Sequence, residues 1–169
     1  IESCCGAPFA FDMLIHGNKS LSGSFETRIA YGRLSVMDLR YTTEFPTKET
    51  LYSLYDDLGW NDFLKLSPEQ LSAAMKQSWY SIYVYRGEKL VATGRVVSDG
   101  VMNAYLCGLG VHPNFRNLGI GTEISRRLVT HCIESNLHIQ FFCEEHLIPY
   151  YEKMGFEEFA AGMRIKETR

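Results

Sequence analysis

A short segment in the second half of the chain has the residue types of an anion-binding turn. It reads Arg116-Asn117-Leu118-Gly119-Ile120-Gly121 and lies between a β-rich apolar run and a helical period of apolar residues. The first backbone N–H groups of a helix lack intrahelical acceptors, and the helix dipole favours negative charge there. Two glycines would let the backbone approach a bulky diphosphate, and Arg116 adds a cation. The segment indicates a phosphate site, but a tight turn that needs glycine for positive φ would contain the same residues.

Two other phosphate-binding motifs do not fit this segment. The dinucleotide-binding motif needs Gly-x-Gly-x-x-Gly and an acidic residue at ribose-binding distance, and the chain has neither here. The P-loop motif needs Lys followed by Ser or Thr, which is also missing from this segment. A nicotinamide-dependent enzyme and a P-loop nucleotidase are therefore not indicated.

The segment resembles the Arg/Gln-x-x-Gly-x-Gly/Ala signature of the GCN5-related N-acetyltransferases, with Val111-His112-Pro113 before it. A second element, Pro149-Tyr150-Tyr151-Glu152-Lys153-Met154-Gly155-Phe156, is similar to the late F-Y-x-x-x-G-F element of that family. The resemblance extends from about Leu39 to Ile165. It implies an α/β (α+β) fold with a mixed, mostly antiparallel central sheet flanked by helices. It also implies an N-acetyltransferase that moves an acetyl group from acetyl-coenzyme A to a primary amine by direct attack, without a metal.

The resemblance assigns roles to particular positions. The strand before the signature would pair with the pantetheine arm as an added strand, and a tyrosine in the late element would protonate the departing thiolate. That tyrosine is Tyr151, the predicted catalytic residue. The predicted cofactor-binding residues are Leu109, Gly110, Val111, Arg116, Asn117, Leu118, Gly119, Ile120, Gly121 and Thr122.

The resemblance does not assign a residue to the role of general base. Relatives often carry an acidic residue just before the Val-x-Pro run, where this chain has Gly108. The nearest candidates in the sequence are His112, Glu144, Glu145 and His146, although a histidine beside proline or a glutamate at a helix start is more often solvated or capping. The amine could also arrive deprotonated.

In this family the first helices shape the acceptor site. Here they contribute aromatic residues, Tyr52, Tyr55, Trp60, Phe63 and Trp79, and acidic ones, Asp56, Asp57 and Asp62. These could form an aromatic pocket with an amine-attracting rim, or they could be core residues and a solvated face. The acceptor is expected to be an amine-bearing small molecule, a peptide or a protein lysine.

Two other functions compete with catalysis at an amine. One is a non-catalytic acetyl-coenzyme A sensor or interaction module, which Gly108 favours and Tyr151 disfavours. The other is a cysteine-dependent acyl-enzyme through Cys107 or Cys143, which would need a nearby histidine and a lowered thiol pKa.

The elements that must position these residues follow the order β-α-α-β-β-β-α-β-α-β. The predicted strands cover 39–45, 79–85, 90–97, 101–111, 137–143 and 156–165. Thr47 and Ser67 cap the first two helices, Gly119 begins the third, and the fourth covers 147–154 and is closed by Gly155. The chain therefore predicts a sheet with helices on its faces.

The bulk composition bounds what the chain can be. Its 169 residues suffice for one domain, predicted at 38–169 after an N-terminal extension of uncertain status at 1–37. With a net charge of −3 and scattered Lys and Arg, the chain lacks the electrostatic attraction that non-specific nucleic-acid binding needs. No apolar run reaches the roughly 18 residues that cross a membrane. Five cysteines, mostly in apolar stretches, fit a reduced cytoplasm. By family analogy a homodimer is possible.

Overall fold

The structure, a computed structural model, describes residues 38–163. Its strands are β1 (Leu39–Thr42), β2 (Tyr80–Arg86), β3 (Lys89–Ser98), β4 (Asn103–Val111) and β5 (His138–Gln140). Its α-helices are α1 (Lys48–Asp57), α2 (Trp60–Leu64), α3 (Pro68–Lys76), α4 (Ile120–Glu134) and α5 (Ile148–Glu152). Two 3₁₀ turns, Pro113–Phe115 and Glu145–Leu147, precede α4 and α5.

Local sequence chemistry sets the ends of the first helices as predicted. The Thr47 hydroxyl accepts a hydrogen bond from the Thr50 N–H at the start of α1. At the start of α3, Ser67 and Gln70 form a reciprocal capping box with proline in the first turn. Gly59 has φ of 74° between α1 and α2, a conformation that favours glycine.

The five strands form one mixed sheet in the order β1-β2-β3-β4-β5. The first four are antiparallel neighbours, and β5 lies parallel to β4. The predicted fold class, a mixed and mostly antiparallel sheet flanked by helices, is confirmed.

Each face of the sheet has its own core. On one face α4 contributes Ile120, Ile124, Leu128 and Cys132 against the apolar residues of β2, β3 and β4. This helix packs closely because β3 has Gly94 beneath it, where an added Cβ would lie 2.6 Å from Ile124 Cγ2. On the other face the helices α1 to α3 cover Tyr83 and Leu90 with Leu51, Leu54, Tyr55, Trp60, Leu71 and Met75. The sheet is thus a layer between α4 on one side and the first three helices on the other.

Several predicted boundaries are wrong. The predicted last strand at 156–165 is not a strand over its described part, 156–163, and its end lies outside the described residues. The strand predicted at 137–143 is shorter, covering His138–Gln140, and the helix α2 was not predicted. Apolar character alone suggested both strands, but a strand also needs a partner for its backbone, which alternation and apolarity do not specify.

The predicted extension at 1–37 and the last residues of the predicted domain, 164–169, lie outside the described residues. No helix within 38–163 is both long and apolar enough to span a membrane.

Candidate active site

The strand β4 carries a bulge at Gly108. Between the register pairs Thr93↔Gly110 and Arg95↔Cys107, β4 has two residues where β3 has one. Gly108 has φ of 59°, which strains any residue with a side chain. The bulge therefore gives a local reason for glycine at the position where an acidic residue was expected.

Beyond its first residues, β4 parts from β5. Their ladder consists of three pairs, Asn103↔His138, Ala104↔Ile139 and Tyr105↔Gln140, after which β5 ends. On the β5 side, the backbone of β4 from Leu106 to Val111 has no strand partner among residues 38–163. This opening is the place where the resemblance puts the pantetheine arm, and it contains the predicted residues Leu109, Gly110 and Val111.

The parted edge of β4 leads into a loop and then into the start of α4. We call residues 112–119 the phosphate loop. Asn117 and Gly119 have φ of 62° and 76°, so the loop turns twice through the left-handed region before α4 begins. No side chain caps α4, and its fourth residue, Glu123, donates its N–H to Gly119 O at 3.0 Å. The N–H groups of the residues before Glu123 in the first turn therefore have no intrahelical acceptor.

A cavity of about 230 Å³ faces this helix start. It is lined by Val111, Phe115, Arg116, Asn117, Gly119, Ile120, Gly121 and Thr122. Backbone amides, a helix dipole and an arginine therefore meet around one open space, which is the composition of a diphosphate site. Seven of the ten predicted cofactor-binding residues line the cavity, Leu109 and Gly110 precede it on β4, and half-buried Leu118 packs against the α4 core.

Two side-chain contacts hold the phosphate loop and α4 in place. Arg116 donates from Nε to the Val111 carbonyl at 3.1 Å, which ties the loop back to the end of β4. The hydroxyls of Thr122 and Tyr150 lie 3.0 Å apart, which joins the first turn of α4 to α5. The predicted catalytic residue, Tyr151, is the next residue of α5, so the link from the start of α4 to the predicted acid passes through Tyr150.

Tyr151 is buried in α5, with its ring in edge contact with Phe141 at a centroid distance of 4.6 Å. Burial raises the pKa of its hydroxyl well above the ordinary value of 10.0, and Tyr150 and Cys143 add to that shift. The phenol therefore keeps its proton at neutral pH, as a proton donor must. It could not act as a general base in this state.

The candidate bases are placed differently. His112 is buried, with Nε2 3.2 Å from Asp57 Oδ2 and Nδ1 accepting the Asn114 N–H at 3.1 Å. Both ring nitrogens are therefore engaged, and His112 is not available as a base. His146 pairs with Glu144 at 3.2 Å, and both side chains are exposed, as is Glu145. These three lie in the turn after β5.

Two alternatives were open for the aromatic residues near the first helices, an acceptor pocket or core packing, and three of them pack as core residues. Tyr55 and Trp60 are buried in the core of the first helices, in edge contact at 5.0 Å. Trp79 packs against His131 of α4, on the other face of the sheet. Aromatic residues at helical spacing are usually core, and here that rule holds for Tyr55 and Trp60.

Sequence reasoning missed a second cavity, of about 460 Å³, between β5, α5 and the segment 156–162. Its lining includes aromatic residues, Tyr105, Phe141, Phe142, Phe156 and Phe159, and exposed carboxylates, Glu152, Glu157 and Glu158. Tyr151 and Cys143 also line it. The signal in the sequence was the run Gly155-Phe156-Glu157-Glu158-Phe159, which reads as a strand until its lack of a partner strand is known.

Sequence reasoning also missed Arg95, which lies beside the bulge. Its guanidinium donates from Nη1 to the Ala74 carbonyl at 3.0 Å and to the Ser78 hydroxyl at 3.2 Å, so it caps the end of α3. A Cβ at Gly108 would lie 3.6 Å from both Arg95 Nε and the Tyr55 hydroxyl. The bulge is therefore packed against a cation and a phenol.

Across residues 38–163, no cluster of three or more His, Cys, Asp or Glu side chains could hold a metal ion.

A parallel pair of strands that parts next to a helix start lined by backbone amides and an arginine is the arrangement that the resemblance implies for an acyl-coenzyme A-dependent transferase. The comparisons with known proteins give the family. The model of the Acetyltransferase (GNAT) family matches residues 40–156, and the chain belongs to this family of GCN5-related N-acetyltransferases. It is an acetyltransferase by this membership and by its likeness to relatives that are named N-acetyltransferases.

Two relatives illustrate the likeness in sequence. An uncharacterized N-acetyltransferase, ycf52, of Pyropia yezoensis is 28% identical over 119 residues, which are 68% of this chain and 67% of the relative. The chloroplastic GCN5-related N-acetyltransferase 1 of Arabidopsis thaliana is 25% identical over 129 residues, covering 75% of this chain and 64% of the relative.

Solved structures share the fold. A GNAT family acetyltransferase of Streptococcus pneumoniae has a TM-score of 0.61 at 23% identity, covering 77% of this chain and 98% of the other. A crystal structure of a predicted acetyltransferase from Clostridium acetobutylicum with acetyl-CoA has a TM-score of 0.57 at 17% identity, covering 76% and 96%.

Proposed function

We propose that this chain transfers the acetyl group of acetyl-coenzyme A to a primary amine by direct attack. The observation that carries the proposal is the continuity of three features: the parted edge of β4, the 230 Å³ cavity at the start of α4, and Tyr151 on the helix bonded to α4. An extended arm on β4 and a diphosphate on α4 would be held at once. Acetyl-coenzyme A has both, and it supplies the activated thioester.

The residues of this chain then have separate tasks. The edge of β4 that has parted from β5 orients the thioester, and the first turn of α4 with Arg116 compensates the diphosphate charge. As the amine forms its C–N bond and the C–S bond breaks, Tyr151 gives its proton to the leaving sulfur. The acceptor attacks as a neutral amine, so an ammonium first releases one proton to solvent. The proton that the nitrogen loses as the amide forms then returns to Tyr151 through water, so the hydroxyl is restored after each turnover.

The cavity of about 460 Å³ beside Tyr151 supports a small cationic acceptor. Aromatic walls favour an apolar body, and Glu152, Glu157 and Glu158 favour a positive charge near the entrance. We therefore propose an amine on an aliphatic or aromatic body as the acceptor. A protein lysine, whose side chain combines the same two properties, is the alternative acceptor within this proposal.

The structure weakens the two competing functions. Glycine instead of an acidic residue at 108 favoured a sensor, but the bulge with its positive φ requires glycine there whether or not the protein is an enzyme. Burial raises the pKa of the Cys107 and Cys143 thiols, which disfavours the thiolate that an acyl-enzyme needs.

The test is a panel of alkylamines, arylalkylamines, polyamines and lysine peptides, incubated with acetyl-coenzyme A and assayed for released thiol. We expect release with at least one amine, together with a product heavier by one acetyl group. Calorimetry on the same protein separates the alternatives. Tight acetyl-coenzyme A binding without release on any amine would favour the sensor, and no binding would reject the cofactor assignment.

A further inference from the structure

A buried histidine joins the phosphate loop to the helices on the other side of the sheet. His112 is the first residue of the loop, and Asp57 is the last residue of α1. Their side chains meet at 3.2 Å, and the His112 side chain is only 8% exposed. Lys89 of β3 completes the cluster, with Nζ 3.3 Å from Asp57 Oδ2 and 2.9 Å from His112 Nε2.

The hydrogen bonds of the ring fix its protonation state. Nδ1 accepts the Asn114 N–H, so the neutral ring carries its proton on Nε2 and donates it to Asp57. A protonated Nε2 cannot accept from Lys89, so the Lys89 ammonium, although it lies beside the ring, donates to Asp57. A protonated ring would carry hydrogens on both nitrogens, and Nδ1 could no longer accept. The neutral form is thus the one that holds the loop.

The bond to Asn114 shapes the start of the phosphate loop. It caps the turn Pro113–Phe115, and the His112 N–H donates to the Val91 carbonyl at 2.8 Å on β3. The chain is therefore fixed at His112 on two sides before it turns through Asn117 toward α4. Any displacement at this turn would move the amides that face the cavity.

We propose that His112 is a positioning residue, which holds the first turn of the phosphate loop through Asn114 and thereby sets the affinity for acetyl-coenzyme A. This inference rests on the proposed function. His112 does not touch the cofactor cavity in this arrangement, because Val111 and Phe115, but not His112, line it. Its effect passes through the loop backbone.

The cluster also gives the affinity a pH dependence. The charged groups facing His112 are Lys89 on β3, Asp57 on α1 and Arg116 in the loop. Burial and then Lys89 lower the pKa of His112 below its ordinary 6.5, while Asp57 opposes them. The neutral ring persists to below pH 6.5 in the folded protein, so cofactor affinity should be constant above that pH and fall as the ring is protonated.

The test uses two substitutions that divide the functions of the ring. Asn at 112 keeps an acceptor near the Nδ1 position but does not reach Asp57, and Gln at 112 keeps a donor near the Nε2 position but offers no acceptor to Asn114. We expect H112Q to raise the dissociation constant of acetyl-coenzyme A about tenfold, because the Asn114 N–H loses the acceptor that holds the loop turn. H112N should recover most of that loss, and kcat at saturating cofactor should change less than KM.

His138→Asn is the matched control, since it makes the same exchange at an exposed histidine that pairs with the opposite end of β4. Calorimetry from pH 8 to pH 5 should show a steeper loss of affinity for the wild type and H138N than for H112N. Because acetyl-coenzyme A is common to all four proteins, its own titration cancels in this comparison. Thermal unfolding without cofactor over the same pH range shows whether each variant is folded.

The outcomes separate this inference from the proposed function. Wild-type protein that does not bind acetyl-coenzyme A would overturn both. Normal wild-type binding with an unchanged dissociation constant in H112Q, or with the same pH slope in H112N and the wild type, would overturn the positioning role alone. A lowered unfolding temperature with unaltered affinity would make His112 structural only.

Discussion

The proposed cofactor end and the proposed acceptor end of the site are built from different parts of the chain. The cofactor end consists of backbone: a bulge at Gly108, a strand edge, and a loop with positive φ at Asn117 and Gly119. The acceptor end consists of side chains on α5 and the segment 156–162 around a cavity. Backbone sites require glycine and chain reversal at fixed spacing, whereas side-chain pockets can be formed by many residue combinations. The first kind can therefore be recognised in a sequence, and the second cannot.

The largest expected effect comes from adding one negative charge to the proposed diphosphate site. Gly121 is buried in the first turn of α4, which has helical backbone, so Gly121→Glu places a carboxylate in the cradle without requiring positive φ. Like charges at close range cost several kcal/mol, so we expect roughly a thousandfold loss of acetyl-coenzyme A affinity by calorimetry. An acid in the first turn of a helix stabilises the helix, which favours an intact fold.

Gly121→Gln is the control for this change, because it adds the same bulk without the charge. Its loss of affinity should be clearly smaller than that of the glutamate. Equal losses would show that space, rather than charge, decides binding here. Unchanged affinity in both variants would show that the diphosphate does not bind in this cavity.

The second prediction concerns the residue where the two ends meet. Tyr151→Phe removes the hydroxyl but keeps the buried ring and its contact with Phe141. Loss of a general acid should lower kcat about a hundredfold with little change in the KM for acetyl-coenzyme A. Tyr150→Phe is the matched control: it removes the contact with Thr122 and should alter binding more than kcat. An unchanged kcat in Y151F would show that Tyr151 is not the general acid and serves only in the core.

The sequence predicted the site where backbone geometry is specific to residue type. Gly119, the strand before it and the helix after it were placed correctly, because glycine spacing and helix capping have local causes. The base remained open for a physical reason as well. Whether His112 is exposed or bound depends on Asp57, 55 positions earlier in the chain, and no local pattern reports such a contact.

The segment after Gly155 is a region whose structure the sequence pattern predicted wrongly. Phe156 to Ile165 was predicted as a strand, although half of its ten residues are Glu, Ala or Gly, which are depleted in strands. Strands are also stabilised by pairing across the sheet, and β5 ends after three residues with β4 as its only partner within 38–163. The homodimer and the cytoplasmic location stay predictions from the sequence.

The smallest expected effect tests whether the cofactor edge of β4 and the first helices are mechanically one unit. Gly110 lies on this edge, yet the space of its missing side chain is filled from the α1–α2 junction: an added Cβ would lie 2.5 Å from Leu58 Cδ1 and 2.7 Å from Trp60 Cη2. Gly110→Ala should therefore push the α1–α2 junction off the sheet and destabilise the fold by about 2 kcal/mol, as overpacking does. Leu58→Ala removes one of the two clashing groups, so the double variant should be more stable than the sum of the single changes predicts. Urea unfolding of the four proteins measures this coupling. Additive changes would mean that the junction does not rest on Gly110, and that the first helices and β4 are independent at this point.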